Sequence, residues 1–150
     1  MAHLDKFKFK TYCPKKFRKL REMFDIDISG DEGTQSLLHQ AMAEYKTGSF
    51  TGGASGSFMY YSGDKRFIVK QITETEKDVM LEILDGYIRH MEESRDGSRG
   101  RGAVQSLLLR VVQLNRIQMY QHEVCGMTVM RGRLHFMVFE NCFYQPLMQE

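Results

Sequence analysis

The stretch GGASGSFMYYSGDKRFIVKQITETEKDVMLEILDGYIRHM, residues 52–91, decides the fold. It opens with small residues and passes through two apolar-rich segments, 57–62 and 65–72, that read as strands joined at Gly63-Asp64. Thr73 then opens a helix. Val79, Met80, Ile83, Leu84, Tyr87, Ile88 and Met91 recur at helical spacing on one face, and Gly86 weakens the helix slightly. A hairpin followed by a helix with one apolar stripe implies that the helix packs on the sheet.

Lys70 is the anomaly in that pattern. Side chains alternate along a strand, so Lys70 shares a face with Ile68 and Ile72, while Phe67 and Val69 point the other way. A strand apolar on both sides is covered on both sides. An ammonium there needs an anion or a route to water along its own stem. Glu76 supplies a candidate anion, since it lies three and four residues before Val79 and Met80. A local alternative stands beside it: Thr73-x-x-Glu76 is a capping box, in which the carboxylate reaches back to the helix start.

Working outward, Pro14 suits a first helical turn, and Phe17, Leu20 and Phe24 follow with Lys15, Lys16, Arg18, Lys19 and Arg21 between them. This is an amphipathic helix with a basic outer face. SGDEG (29–33) is expected to break it, with a second short helix over 37–45. SRDGSRGRG (94–102) reads as a mobile polar loop. Strands are expected over about 107–120, 124–130 and 134–139, with Arg131-Gly132-Arg133 as the last hairpin turn. The order of elements gives an α+β fold, an antiparallel β-sheet with packed helices.

At 150 residues the chain is long enough for one domain with a real core. Charged residues make up 27% and apolar residues 42%, which argues against disorder. No apolar run reaches the roughly 18 residues of a membrane span, and the N-terminus lacks a signal-peptide pattern, so a cytoplasmic location is expected. Cys13, Cys125 and Cys142 show no CxxC spacing and are expected to be buried reduced thiols, with no metal site. Residues 1–21 carry a net charge of +7 and residues 22–32 one of −5. The basic segment is either a solvated helix face or a contact for an anionic surface. No aromatic arrangement for base stacking accompanies it, so no nucleic-acid partner is expected.

Small residues at Gly53, Ala54, Ser55, Gly56 and Ser57 let backbone N–H groups approach a phosphate. A glycine-rich turn, a hairpin, a strand lysine and a helix glutamate form the ordered set with which a kinase covers ATP. In that arrangement Lys70 holds phosphates, Glu76 holds Lys70, and Ile68 faces the adenine. The G-x-G-x-x-G spacing of protein kinases is absent.

These residues closely resemble the phosphatidylinositol phosphate kinases. FKFKTYCPKKFRKLREMFDID resembles that family's opening helix segment, and GASGSFMYYSGDKRFIVKQI its phosphate-binding loop, hairpin and lysine strand. TETEKDVMLEILDGYIRHM fits its next helix, with Glu76 at the lysine-pairing position. SLLLRVVQLNRI and LHFMVFENCF resemble two later strands, the second leading to the hinge with Asn141 and Phe143 matching. Val111, Val112 and Gln113 depart from the family's usual aromatic residue, large residue and Gly.

The resemblance implies a kinase-like N-terminal lobe spanning 1–150 and ending near the hinge. It implies ATP as ligand, with Mg²⁺ held by the carboxyl-terminal lobe, whose Asp-Leu-Lys-Gly-Ser and metal-binding segments do not occur in these 150 residues. The complete enzyme would phosphorylate the inositol ring of a phosphatidylinositol phosphate at an anionic membrane surface, as a peripheral protein on its cytosolic face. This chain alone is expected to be inactive. The competing reading is a non-catalytic interaction module that binds a kinase carboxyl-terminal lobe or a full-length kinase. FKFKTYCP leans towards the 5-kinases of the family and Ala54 towards its 4-kinases.

Overall fold

The computed structural model describes residues 6–26, 30–47, 58–95, 108–124 and 127–143. Its elements are β1 (Lys6–Thr11), α1 (Pro14–Met23), α2 (Gly30–Thr47), β2 (Met59–Tyr61), β3 (Phe67–Ile72), α3 (Glu74–Arg95), β4 (Val111–Val124) and β5 (Met127–Glu140). The strands form one antiparallel sheet in the order β1-β4-β5-β3-β2. The fold is α+β, as the sequence implied.

Strand alternation divides the core in two. On one face Ile68, Ile72, Val111, Leu114 and Phe139 pack with Phe17 and Leu20 of α1 and Met80, Leu84, Tyr87, Ile88 and Met91 of α3. On the other, Phe67, Val69, Ile117, Phe136 and Val138 pack with Leu37, Leu38, Ala41 and Met42 of α2. Lys70 shares the first face, where its cross-strand partners are Met59 and Met137. Val79 and Ile83, expected within the buried stripe of α3, stand 49% and 51% exposed. The stripe that touches the sheet is narrower than the sequence suggested.

Four other expectations are corrected. The basic N-terminal segment begins as a strand: KFKFK alternates with period two and pairs in register with β4, Phe9 opposite Ile117. The second helix starts at Gly30, inside SGDEG, and takes in Gly33 as well, since a helical glycine costs only about 1 kcal/mol. Arg131-Gly132-Arg133 is no turn. β5 runs through it, Met119 facing Gly132 and Tyr120 facing Met130, so Arg131 is the extra residue of a β-bulge. Gly132 sits at φ 116, a conformation glycine alone adopts easily. Cys142 is exposed rather than buried, and Cys13 is half-buried; both are free thiols.

The β2–β3 connection is also longer than a two-residue turn. Its left-handed position falls on Lys65, at φ 64, rather than on Gly63. Asp64 organises it by accepting from the Ser62 hydroxyl at 2.6 Å and the Arg66 N–H at 3.0 Å. Those bonds, the Ser62 one foremost, hold the Asp64 carboxyl below its ordinary range.

Candidate functional site

Lys70 lies in the middle of β3, half-buried between Met59 and Met137 on the face that α1 and α3 cover. Ile68 and Ile72 flank it along the strand and are both buried in that core. The stem of Lys70 thus runs along apolar surface. Among the described residues it makes no ion pair.

Glu76 is engaged elsewhere. The Thr73 N–H donates to the Glu76 carboxylate at 3.1 Å, and the Glu76 N–H donates to the Thr73 hydroxyl oxygen at 3.1 Å. This is the reciprocal capping box, satisfying two amide donors that a helix start leaves without intrahelical partners. The expected contact between Glu76 and Lys70 is therefore not formed here. The two residues nonetheless belong to the same side of the sheet, since Met80, one turn beyond Glu76, packs against Ile68 and Ile72 in one cluster. Gly53, Ala54, Ser55, Gly56 and Ser57 lie outside the described residues, as does most of the 94–102 loop.

The neighbourhood is tied together by contacts that spacing could not reveal. The Asn141 backbone N–H donates to the Arg66 carbonyl at 2.7 Å, and its side-chain amide donates to the Lys65 carbonyl at 2.9 Å. Its side-chain oxygen accepts from the Phe143 N–H at 3.1 Å. The segment after β5 is thus fastened to the β2–β3 turn, and Phe143 stands 87% exposed beyond it. A pocket of about 340 Å³ opens where α3 begins, lined by Gln71, Ile72, Thr73, Glu74, Arg133, Leu134 and His135. It does not include Lys70.

The basic residues of α1 are less free than the sequence suggested. Lys16 pairs with Asp85 at 2.7 Å and Lys19 with Glu92 at 2.5 Å, both on α3. Arg21 donates to the Val112 carbonyl at 3.0 Å. Lys8, Lys10, Lys15 and Arg18 remain exposed. No group of three or more His, Cys, Asp or Glu side chains among the described residues is placed to hold a metal ion. No described helix is long and apolar enough to cross a membrane.

Residues 41–149 match the family model described as Phosphatidylinositol-4-phosphate 5-Kinase. The chain belongs to the phosphatidylinositol-4-phosphate 5-kinase family. It is 35% identical over 92 residues to the type-1 alpha phosphatidylinositol 4-phosphate 5-kinase of Rattus norvegicus, covering 61% of this chain and 16% of that one. Against phosphatidylinositol 4-phosphate 5-kinase 1 of Arabidopsis thaliana the identity is 34% over 92 residues, 57% of this chain and 11% of the relative. A probable phosphatidylinositol phosphate kinase of Dictyostelium discoideum is 35% identical over 94 residues, 59% of this chain and 12% of the relative. In these three matches the aligned part spans 16% or less of the relative's length.

Proposed function

We propose that this chain is the ATP-binding N-terminal lobe of a phosphatidylinositol phosphate kinase. Its complete form uses Mg-ATP to phosphorylate the inositol ring of a phosphatidylinositol phosphate. The observation that carries the reading is Lys70: a half-buried lysine without an ion pair among the described residues, on the second strand after the glycine-rich segment. Such a group is suited to a phosphate. In this reading Gly53, Ala54, Ser55, Gly56 and Ser57 offer backbone N–H groups to the phosphates, Ile68 lies against the adenine, and Glu76 orients Lys70. The names of the relatives favour a 4-phosphate lipid as substrate and a 5-kinase activity.

No described group of three or more His, Cys, Asp or Glu is placed to hold a metal ion; in this reading the Mg²⁺ ligands and the catalytic base come from a carboxyl-terminal lobe, as the kinase resemblance implies. Phosphoryl transfer rests on positioning and metal charge, so this lobe alone does not turn over. Lys8, Lys10, Lys15 and Arg18 give the lobe an attraction to anionic membrane of about 1 kcal/mol per residue near the surface. The test is calorimetric titration with Mg-ATP of the chain and of Lys70→Ala, beside a vesicle assay of the chain fused to a family carboxyl-terminal lobe. Binding lost in Lys70→Ala, with turnover by the fusion alone, is expected. Equal activity of the Lys70→Ala fusion overturns the assignment.

A second reading is favoured by Val79 and Ile83. An apolar pair on the open side of α3 suits a non-catalytic interaction module that docks on a kinase carboxyl-terminal lobe or a full-length kinase.

A further inference from the structure

Resting on the reading of Lys70 as the phosphate-binding lysine, we infer that Thr73 is a positioning residue: its backbone N–H holds the Glu76 carboxylate in the capping box and away from Lys70, and its hydroxyl completes this latch by holding the Glu76 N–H. Three observations carry this. The Thr73–Glu76 bonds are reciprocal, each 3.1 Å: the Thr73 N–H donates to the carboxylate, and the Thr73 hydroxyl accepts from the Glu76 N–H and so fixes the turn from which that carboxylate reaches back. Lys70 makes no ion pair among the described residues although it lies three residues before Thr73, on the sheet face that α3 covers. Thr73 and Glu76 are both exposed, so the carboxylate leaves the cap by side-chain rotation with no core contact to break.

The consequence is a competition for one carboxylate. Closed, the latch satisfies the helix start and leaves Lys70 without its orienting partner. Open, Glu76 turns to Lys70 and the first turn of α3 gives up a side-chain cap. A site whose competent arrangement is a minority binds its ligand more weakly by that fraction. Weakening the latch therefore tightens nucleotide binding, which a purely structural cap would not do.

Four variants separate the roles. Thr73→Val removes the hydroxyl, Thr73→Ser keeps it, Glu76→Gln keeps the cap but loses the charge, and Lys70→Met removes the ammonium. The first measurement is a double-mutant cycle between Lys70→Met and Glu76→Gln, read as the unfolding constant in urea. In the parent chain and in the Thr73→Ser background the two changes are independent. In the Thr73→Val background a coupling of about fivefold is expected, matching the size of a lost cap. The second measurement is Mg-ATP affinity, about fivefold tighter in Thr73→Val and restored to the starting value when Glu76→Gln is added. Absence of coupling in Thr73→Val, or a Thr73→Ser chain that behaves like Thr73→Val, overturns the latch. Coupling without Mg-ATP binding by any variant leaves the latch standing and removes the nucleotide reading instead.

Discussion

Tyr87 of α3 accepts a hydrogen bond from the Val111 amide of β4 at 2.9 Å. Its hydroxyl also donates to the Leu109 carbonyl at 2.5 Å, so one phenol fastens the start of β4 to the middle of α3. Tyr87→Phe keeps the ring and leaves a buried amide unsatisfied. The expected loss is about 1–3 kcal/mol, read as a lower urea midpoint at unchanged slope.

The same phenol has a pH signature. Burial, only partly offset by the Val111 bond and Arg110, pushes the Tyr87 hydroxyl up to about 12. The folded state thus holds this proton where the unfolded chain, near pH 10, releases it. Its contribution is fully present below about pH 10 and declines as pH rises from there to about 12. An ultraviolet titration should show one late-ionising tyrosine that Tyr87→Phe removes.

His135 behaves in the opposite sense. It is 6% exposed, its Nδ1 has no hydrogen-bond partner among the described residues, and its ring lies 6.2 Å from that of Tyr12. Burial first, then Lys77 and Arg116, lowers its affinity for a proton, against a smaller pull from Glu74 and Asp78. A neutral histidine in the fold that charges readily in the unfolded chain stabilises above about pH 6.5, and that stability falls as pH drops below it. His135→Phe should flatten the difference between urea midpoints at pH 7.5 and pH 5.5. It should also match or slightly exceed the parent at pH 5.5, since it removes a buried nitrogen that bonds no described residue. An unchanged pH slope would place the titration elsewhere.

Gly132→Ala isolates a backbone effect. Among the described residues no atom beyond its chain neighbours lies within 4 Å of the added methyl, so no crowding is expected from them. The cost comes from φ 116 alone and is about 1–2 kcal/mol, with the β-bulge retained in the variant's structure. A neutral substitution would mean that the bulge relaxes.

Val79→Lys with Ile83→Lys tests the open side of α3. Both positions are about half exposed, so stability should change by no more than about 0.5 kcal/mol. Sedimentation with a family carboxyl-terminal lobe added should show weaker association than for the parent. Unchanged association would remove these two residues from any docking surface.

How far the sequence can be read depends on the kind of signal each element carries. α3 and β3 announce themselves through periodicity, and both the shared side of Lys70 and Glu76 and the Thr73-x-x-Glu76 motif follow from spacing. Which partner Glu76 takes does not, because two side-chain arrangements separated by about the strength of one cap compete. β1 is legible in the alternation of KFKFK, but its lysines register as charge before they register as one face of a strand. Gly132 reads as a turn because glycine marks turns and bulges alike, and only pairing across the sheet tells them apart. The Tyr87 bonds and the Asn141 bonds to Lys65 and Arg66 leave no trace in spacing, since each joins segments at least 22 residues apart.

The strand order has a consequence for how the chain acquires this shape. β1 precedes the other described strands yet among them pairs only with β4, Lys6 opposite Tyr120 and Thr11 opposite Asn115. The first strand therefore waits for more than a hundred residues to follow before it finds its place, whereas β4 and β5 meet across a short connection. Closing so long a loop is slow, and its entropy is recovered only when the remote pairing forms. Assembly is expected to spread outward from the β4–β5 pair, with β1 among the late arrivals. Until β4 is made, a segment alternating lysine and phenylalanine has an unpaired backbone, and its charges are what keep it from pairing with the wrong neighbour.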